Sequence, residues 1–290
     1  MTPATLIVAG LANGSIYALV ALALVLIYKT QDVINFGQGE ILMVGGFVGY
    51  SVLEYTHVPY PLALLAAVVA GGALGAAIER TALRRVAEQH HITLAMVTVG
   101  FSVLIKGVAR LPFGSDIYTF PAVLSSAPVS IAGAEMSPQS LITVAVALVV
   151  ALLLFLFFRL TPAGKQMQAT QQNLTGARIV GINPGRVFSM TWALAAAIGA
   201  LTGVLAAPLA LLYPDMGSDF LLKGFAAAVL GGLESVPGAM VGGFIVGIIE
   251  MLFGGYISTS AQQISSFIVI IAVLLIRPYG LFGRRPVHRV

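Results

Sequence analysis

The chain has 290 residues, of which 58% are hydrophobic and only 9% charged, and its mean hydropathy is +0.97. No water-facing surface of ordinary polarity can be built from that inventory, so the chain reads as an integral membrane protein; at roughly 20 residues per span it leaves no room for a separate soluble domain. A net charge of +4 without aromatic-interleaved basic patches argues for membrane topology over nucleic-acid binding, and the absence of cysteine excludes disulfides, thiolate catalysis and Cys-based metal sites.

The first apolar run, residues 5–28, has no basic residue before it and is too long for the apolar core of a cleaved signal, so it is expected to remain as a span. Lys29 places its end in the cytoplasm and the N-terminus outside. A turn over 30–33 leads to Asn35, Gln38 and Glu40, polar groups beside or within a second span that runs to about Tyr55. Pro59 and Pro61 mark an outer turn, and a third span, 62–78, is ended inside by Arg80, Arg84 and Arg85. The fourth, 92–111, carries Lys106 and Arg110 near its outer end, where both are expected to snorkel to the headgroups. Residues 112–138 read as an outer loop with at most short ordered pieces, and 141–158 crosses inward.

Residues 159–186 form the long polar segment of the chain, with Arg159, Lys165, Arg178, Arg186 and no acidic residue, and belong in the cytoplasm. Met167, Thr170, Leu174, Ala177 and Arg178 recur at three- and four-residue spacing, which predicts one short helix over 165–180, stopped by Gly181, that lies on the membrane and touches a partner. Residues 188–212 cross outward. The apolar pieces on either side of Glu234 are short, so 221–253 is expected to form a broken or re-entrant hairpin; a last span, 264–276, ends at Arg277, and Arg284, Arg285 and Arg289 hold the C-terminus inside. The expected architecture is an all-α polytopic transmembrane bundle of about 8–9 segments, one domain over 1–290.

Glycines four apart (Gly10/Gly14, Gly45/Gly49, Gly71/Gly75, Gly199/Gly203, Gly238/Gly242, Gly243/Gly247) allow helix backbones to approach closely. The stretches 24–40 and 209–225 share a Leu-x-Leu-x-Tyr start, one at each surface, the trace that an inverted-topology repeat would leave.

Catalytic constellations do not emerge. His57, His90, His91 and His288 are scattered, no zinc-protease or nucleophile-elbow motif is present, and Gly164-Lys165 lacks the rest of a phosphate loop. What remains at membrane depth is Asn13, Asn35, Gln38, Glu40, Lys223, Glu234 and Glu250. An unpartnered group of this kind costs roughly 2–3 kcal/mol or more, so each is expected to face the bundle interior or a wet cavity, and a translocation path or gate is the functional reading for all but Glu234, which fits a helix-end role better. Such a path needs an energy source. External ATPases acting on the cytoplasmic segment are one answer; the other is a stand-alone ion-coupled carrier or channel in which Glu40, Lys223 and Glu250 would be the ion site. A lipid-modifying enzyme is opposed by the missing nucleophile and metal sets.

Three stretches carry a family resemblance: GLANGSIYALVALALVLIYKTQDVINFGQGEILMVGGF, GKQMQATQQNLTGARIVGINPGRV and FAAAVLGGLESVPGAMVGGFIVGIIE. In this order they resemble the LivH-type permeases of branched-chain amino acid ABC importers. The resemblance implies a complex in the inner membrane with a second, LivM-like permease subunit, two ATPase subunits and an external amino-acid-binding protein, ATP being bound by the partners and no cofactor by this chain. It also implies that 159–186 is the ATPase-coupling element. Thr175-Gly176-Ala177-x3-Gly181 is similar to a reduced form of the Glu-Ala-Ala-x3-Gly motif of importer membrane subunits, and Lys165, Gln168, Asn173 and Asn183 stand in the same element. Gln168 and Asn173 replace residues often charged in relatives, and Gln38 replaces a frequent histidine. Branched-chain amino acids are the implied cargo, although relatives also carry other amino acids, amides and urea.

Overall fold

The computed structural model describes residues 3–86, 91–121, 129–131 and 134–283. His90, His288, Arg284, Arg285 and Arg289 lie outside the described residues. Helices dominate: α1 (Pro3–Gln31), α2 (Gln38–Thr56), α3 (Tyr60–Ile78), a π turn (Glu79–Leu83) running into α4 (Arg84–Val86), α5 (His91–Phe113), α6 (Pro138–Leu160), α7 (Pro162–Gln172), α8 (Leu174–Ile179), α9 (Pro184–Ala210), α10 (Met216–Gly231), α11 (Val236–Tyr256) and α12 (Thr259–Ile276). Within the region expected to be a loop, β1 (Val129–Ile131) and β2 (Ala134–Met136) pair antiparallel. Among the described residues, 7 helices are long and apolar enough to cross a membrane; α2 and α10 are not among them.

A helix that is apolar on every side must be surrounded by protein or lipid, and α1 is surrounded by protein. Leu19, Leu22, Val25, Leu26 and Ile27 on its successive faces are all at 0% exposure. It packs along α11, with α9, α10 and α6 completing its sheath. The paired glycines make these contacts possible: Gly10 and Gly14 lie against Gly243, Gly247 and Ile248, Gly45 and Gly71 against Ala200, and Gly242 against Ala227, backbone to backbone in most cases. On α5 the glycines behave differently, since Gly100 and Gly107 face open space. The rim of α5, α6 and α12 exposes Val103, Leu152, Leu153, Ile271 and Leu275, as a lipid-facing surface does.

One end of the bundle collects Lys29, Arg84, Arg159, Lys165, Arg178 and Arg186 and is called the basic end below. There Lys29 Nζ donates to the Glu234 carbonyl oxygen at 3.2 Å and sits 4.9 Å from the Phe158 ring centre. Arg84 holds buried Glu79 with two hydrogen bonds, 3.2 and 2.9 Å, and also donates to the Gly185 carbonyl oxygen. Ser189 donates to the same carboxylate.

The single helix expected over 165–180 is two helices. Asn173 leaves helical conformation at φ −157 and its side chain caps α8 by accepting from the Gly176 N–H at 2.8 Å. Short amide side chains compete in this way with helix continuation, and a stripe of apolar positions passes through such a break unaltered. Gly181 ends α8 at φ +84, with Gly181 N–H donating to Arg178 and Ile182 N–H to Ala177, a Schellman pair.

Candidate functional site

Two connectors do not stay at the ends of the bundle but turn back into it. α1 ends at the basic end, yet residues 32–37 climb inward before α2 begins. Asn35 ties this connector by accepting from the Gly37 N–H at 2.9 Å and donating to Gln38 Oε1 at 3.0 Å, while the Phe36 N–H donates to Thr98 Oγ1 at 3.1 Å. Gln38 then donates to the Ala195 carbonyl oxygen at 3.0 Å. Ala195 stands about 17 Å along α9, a helix about 40 Å long at 1.5 Å per residue, so α2 starts close to half depth.

The mirror of this arrangement follows α9. Leu211 turns the chain with φ +63, Leu212 exchanges backbone hydrogen bonds of 2.8 and 3.1 Å with Tyr118, and residues 213–215 return to the level of α2's first turn. There α10 starts against α2, with Gly39 and Gly217 so close that a Cβ on either would overlap the other's carbonyl oxygen. Ser137, Thr161, Asn173, Asn183, Ser235 and Ser258 cap α6, α7, α8, α9, α11 and α12, but neither α2 nor α10 has a side-chain cap.

Charges of both signs gather at these two helix starts. Lys106 Nζ lies 3.6 Å from Glu40 Oε1, 3.4 Å from Asp215 Oδ1 and 2.9 Å from Ser218 Oγ, and Arg110 reaches Asp215 Oδ2 at 2.7 Å. Where snorkelling to the headgroups was expected of Lys106 and Arg110, the returning connector supplies both with a protein partner, Asp215. Glu40 is 1% exposed, and its Oε2 has no hydrogen-bond partner.

A second polar cluster lies between α1, α10, α11 and α12. Lys223 Nζ contacts Glu250 Oε1 at 2.7 Å and the Tyr17 hydroxyl at 3.3 Å, and Gln262 donates to the same carboxylate oxygen at 3.4 Å. Asn13 donates to the Met251 sulfur at 3.5 Å beside it. Thus Lys223 and Glu250 belong together, whereas Glu40 is paired elsewhere, and the three do not form the single ion site that the carrier reading requires.

At the basic end, α7 and α8 form an arm. Lys165 and Thr175 are exposed, Gly176 is half-buried, and Gln168 donates to the Phe158 carbonyl oxygen at 3.1 Å. Asn173 and Asn183 cap α8 and α9. Ala177, at 4% exposure, is turned into the chain and Gly181 is exposed. A cleft of about 580 Å³ opens beside the arm between Lys29, Arg159, Lys165, Gln172 and the 232–235 turn, where Glu234 lines the wall. Sequence reading missed Asp215, Ser218, Tyr17, Gln262 and Glu79 as partners; the spacing of Asp215 and Gly217 before an apolar run was the one signal available.

A model of the branched-chain amino acid transport system permease component family matches residues 6–276. The chain is 32% identical over 97% of its length to the high-affinity branched-chain amino acid transport system permease protein LivH of Escherichia coli K12, covering 96% of that protein. It is 31% identical, with the same coverage, to LivH of Salmonella typhimurium and 29% identical over 98% of its length to BraD of Pseudomonas aeruginosa, covering 97% of the latter. No solved structure matches. A predominantly helical polytopic bundle, with one short β-hairpin and polar groups gathered at half-depth helix starts, together with these matches makes the chain a membrane permease. The chain belongs to the branched-chain amino acid transport permease family: it is a multi-pass inner-membrane transport subunit, not an enzyme.

Proposed function

We propose that this chain is the membrane path of an ABC importer that brings branched-chain or closely related small amino acids into the cytoplasm, driven by ATP hydrolysed on two separate ATPase subunits. The observation that carries this reading is the near full-length similarity to permeases named for branched-chain amino acid transport. A LivM-like second permease and an external binding protein complete the assembly. The concentration of basic residues at one end supports a cytoplasmic position for it, with the N-terminus of α1 outside and the C-terminus inside. On that orientation α2 and α10, which start inside the bundle, add two segments to the seven spans, giving nine, and α1–α2 and α9–α10 form the halves of an inverted repeat in register at Gly39 and Gly217, not at the Leu-x-Leu-x-Tyr match.

The arm over 159–186 couples the ATPases to the bundle. Lys165, Gln168, Thr175, Gly176, Gly181 and the exposed parts of Asn173 and Asn183 form the docking side, and buried Ala177 transmits the push to the core. ATP-driven closure then biases the bundle between outward- and inward-facing states, with Asn13, Asn35, Gln38, Glu40, Lys223 and Glu250 lining or gating the path. Reconstitution of the complete assembly, with labelled leucine outside and ATP supplied to the ATPases, tests the reading; uptake that needs ATP and every partner supports it, and no uptake of any amino acid contradicts it.

A further inference from the structure

We propose that Glu40 and Lys106 form a gate that opens by charge exchange with a zwitterion: the cargo's ammonium group takes the place of Lys106 at Glu40, and its carboxylate takes the place of Glu40 at Lys106. The inference rests on the reading of the chain as an amino-acid permease.

Four observations converge on it. The Glu40–Lys106 separation of 3.6 Å is longer than the roughly 2.7–2.9 Å of a charge-assisted hydrogen bond, so the pair is closed but loose. Lys106 divides its three donors among Glu40, Asp215 and Ser218, and its side chain is 22% exposed, so it is able to swing away without losing every partner. Glu40 Oε2 is buried with no hydrogen-bond partner, which leaves acceptor capacity for an ammonium group. The starts of α2 and α10, both without side-chain caps, converge beside it and offer two positive dipole ends to a carboxylate.

An α-amino acid carries its two charges on neighbouring carbons, so one molecule spans both halves of the pair. Exchange of one ion pair for two leaves no buried charge unmatched. A carboxylic acid alone leaves Glu40 without a counter-charge at half depth, and an amine alone leaves Lys106 with only Asp215 as counter-charge and no carboxylate brought in to replace Glu40, so the gate favours zwitterions without reading the side chain. The Lys223–Glu250 pair also leaves a buried carboxylate oxygen unpartnered, Glu250 Oε2, but it is shorter, at 2.7 Å, and Tyr17 and Gln262 hold it as well, so it is the tighter of the two pairs on the path.

The test uses the complete importer in liposomes with leucine-loaded binding protein and reads leucine delivered per ATP hydrolysed. Wild type is measured first; if it delivers no amino acid, the functional reading fails, and that failure is separate from the fate of the gate. With wild type active, Glu40→Gln and Lys106→Gln are each expected to lower leucine delivered per ATP roughly tenfold or more, with ATP hydrolysis falling far less, and Lys106→Arg to recover most of the loss. If Glu40→Gln fails to assemble, the more exposed Lys106→Gln carries the test. An unchanged ratio in the neutral variants, or a fall of uptake and hydrolysis in step, overturns the gate.

Discussion

Gly39 and Gly217 meet backbone to backbone at the starts of α2 and α10, each occupying the space that a methyl group on the other would need. Since neither contact partner is a movable side chain, the cost of a larger residue falls on the two helices themselves. Gly39→Val or Gly217→Val is expected to destabilise the protein by about 1–3 kcal/mol or more, seen as a lowered unfolding midpoint in detergent. Gly107→Ala, with nothing within 4 Å of the added carbon, is expected to change stability by less than about 0.5 kcal/mol. Equal losses at both places would contradict the close approach.

Lys223 and Glu250 are a pair whose carboxylate is 2% exposed and whose ammonium side chain is 23% exposed. Removing one member leaves the other buried without its counter-charge. Glu250→Ala or Lys223→Met is expected to cost about 3 kcal/mol, and the double variant less than the sum, in a double-mutant cycle followed by denaturation. Additive losses would mean that the two side chains act independently.

The arm at the basic end separates docking from folding. Thr175 is exposed and Ala177 is buried two residues later on the same short helix. Thr175→Trp is expected to leave the unfolding midpoint near wild type and to abolish ATP-dependent uptake, whereas Ala177→Asp places a carboxylate in the core and is expected to lower the midpoint itself. Normal uptake by the Thr175 variant would remove this face from the coupling surface.

Much of this architecture is legible in the sequence because lipid imposes a simple rule on it. Runs near 20 apolar residues mark α3, α5, α6 and α9, and the all-round apolarity of α1 agrees with its central position. The glycines four apart foretell close packing, and each named pair lies at a helix contact. Depth is what the sequence conceals. The turn over 30–33 and the polar groups after it could as well lie at the surface, and only the hydrogen bonds of Phe36 to Thr98 and of Gln38 to Ala195 show that the connector enters the bundle. Partner identity is concealed as well: Lys106 and Asp215 are 109 positions apart, and only the return of 211–215 brings them within 3.4 Å. The break at Asn173 was available in principle, since asparagine before Leu-Thr-Gly is a capping signal, but the apolar spacing on either side masks it.

The central claim is that this chain moves amino acids only when pushed through its arm by partner ATPases. The most direct measurement is leucine uptake into liposomes holding this chain alone, under proton and sodium gradients, beside liposomes holding the full assembly with ATP. The account predicts no uptake by the chain alone and ATP-dependent uptake by the assembly. Gradient-driven leucine uptake by the chain alone would contradict it.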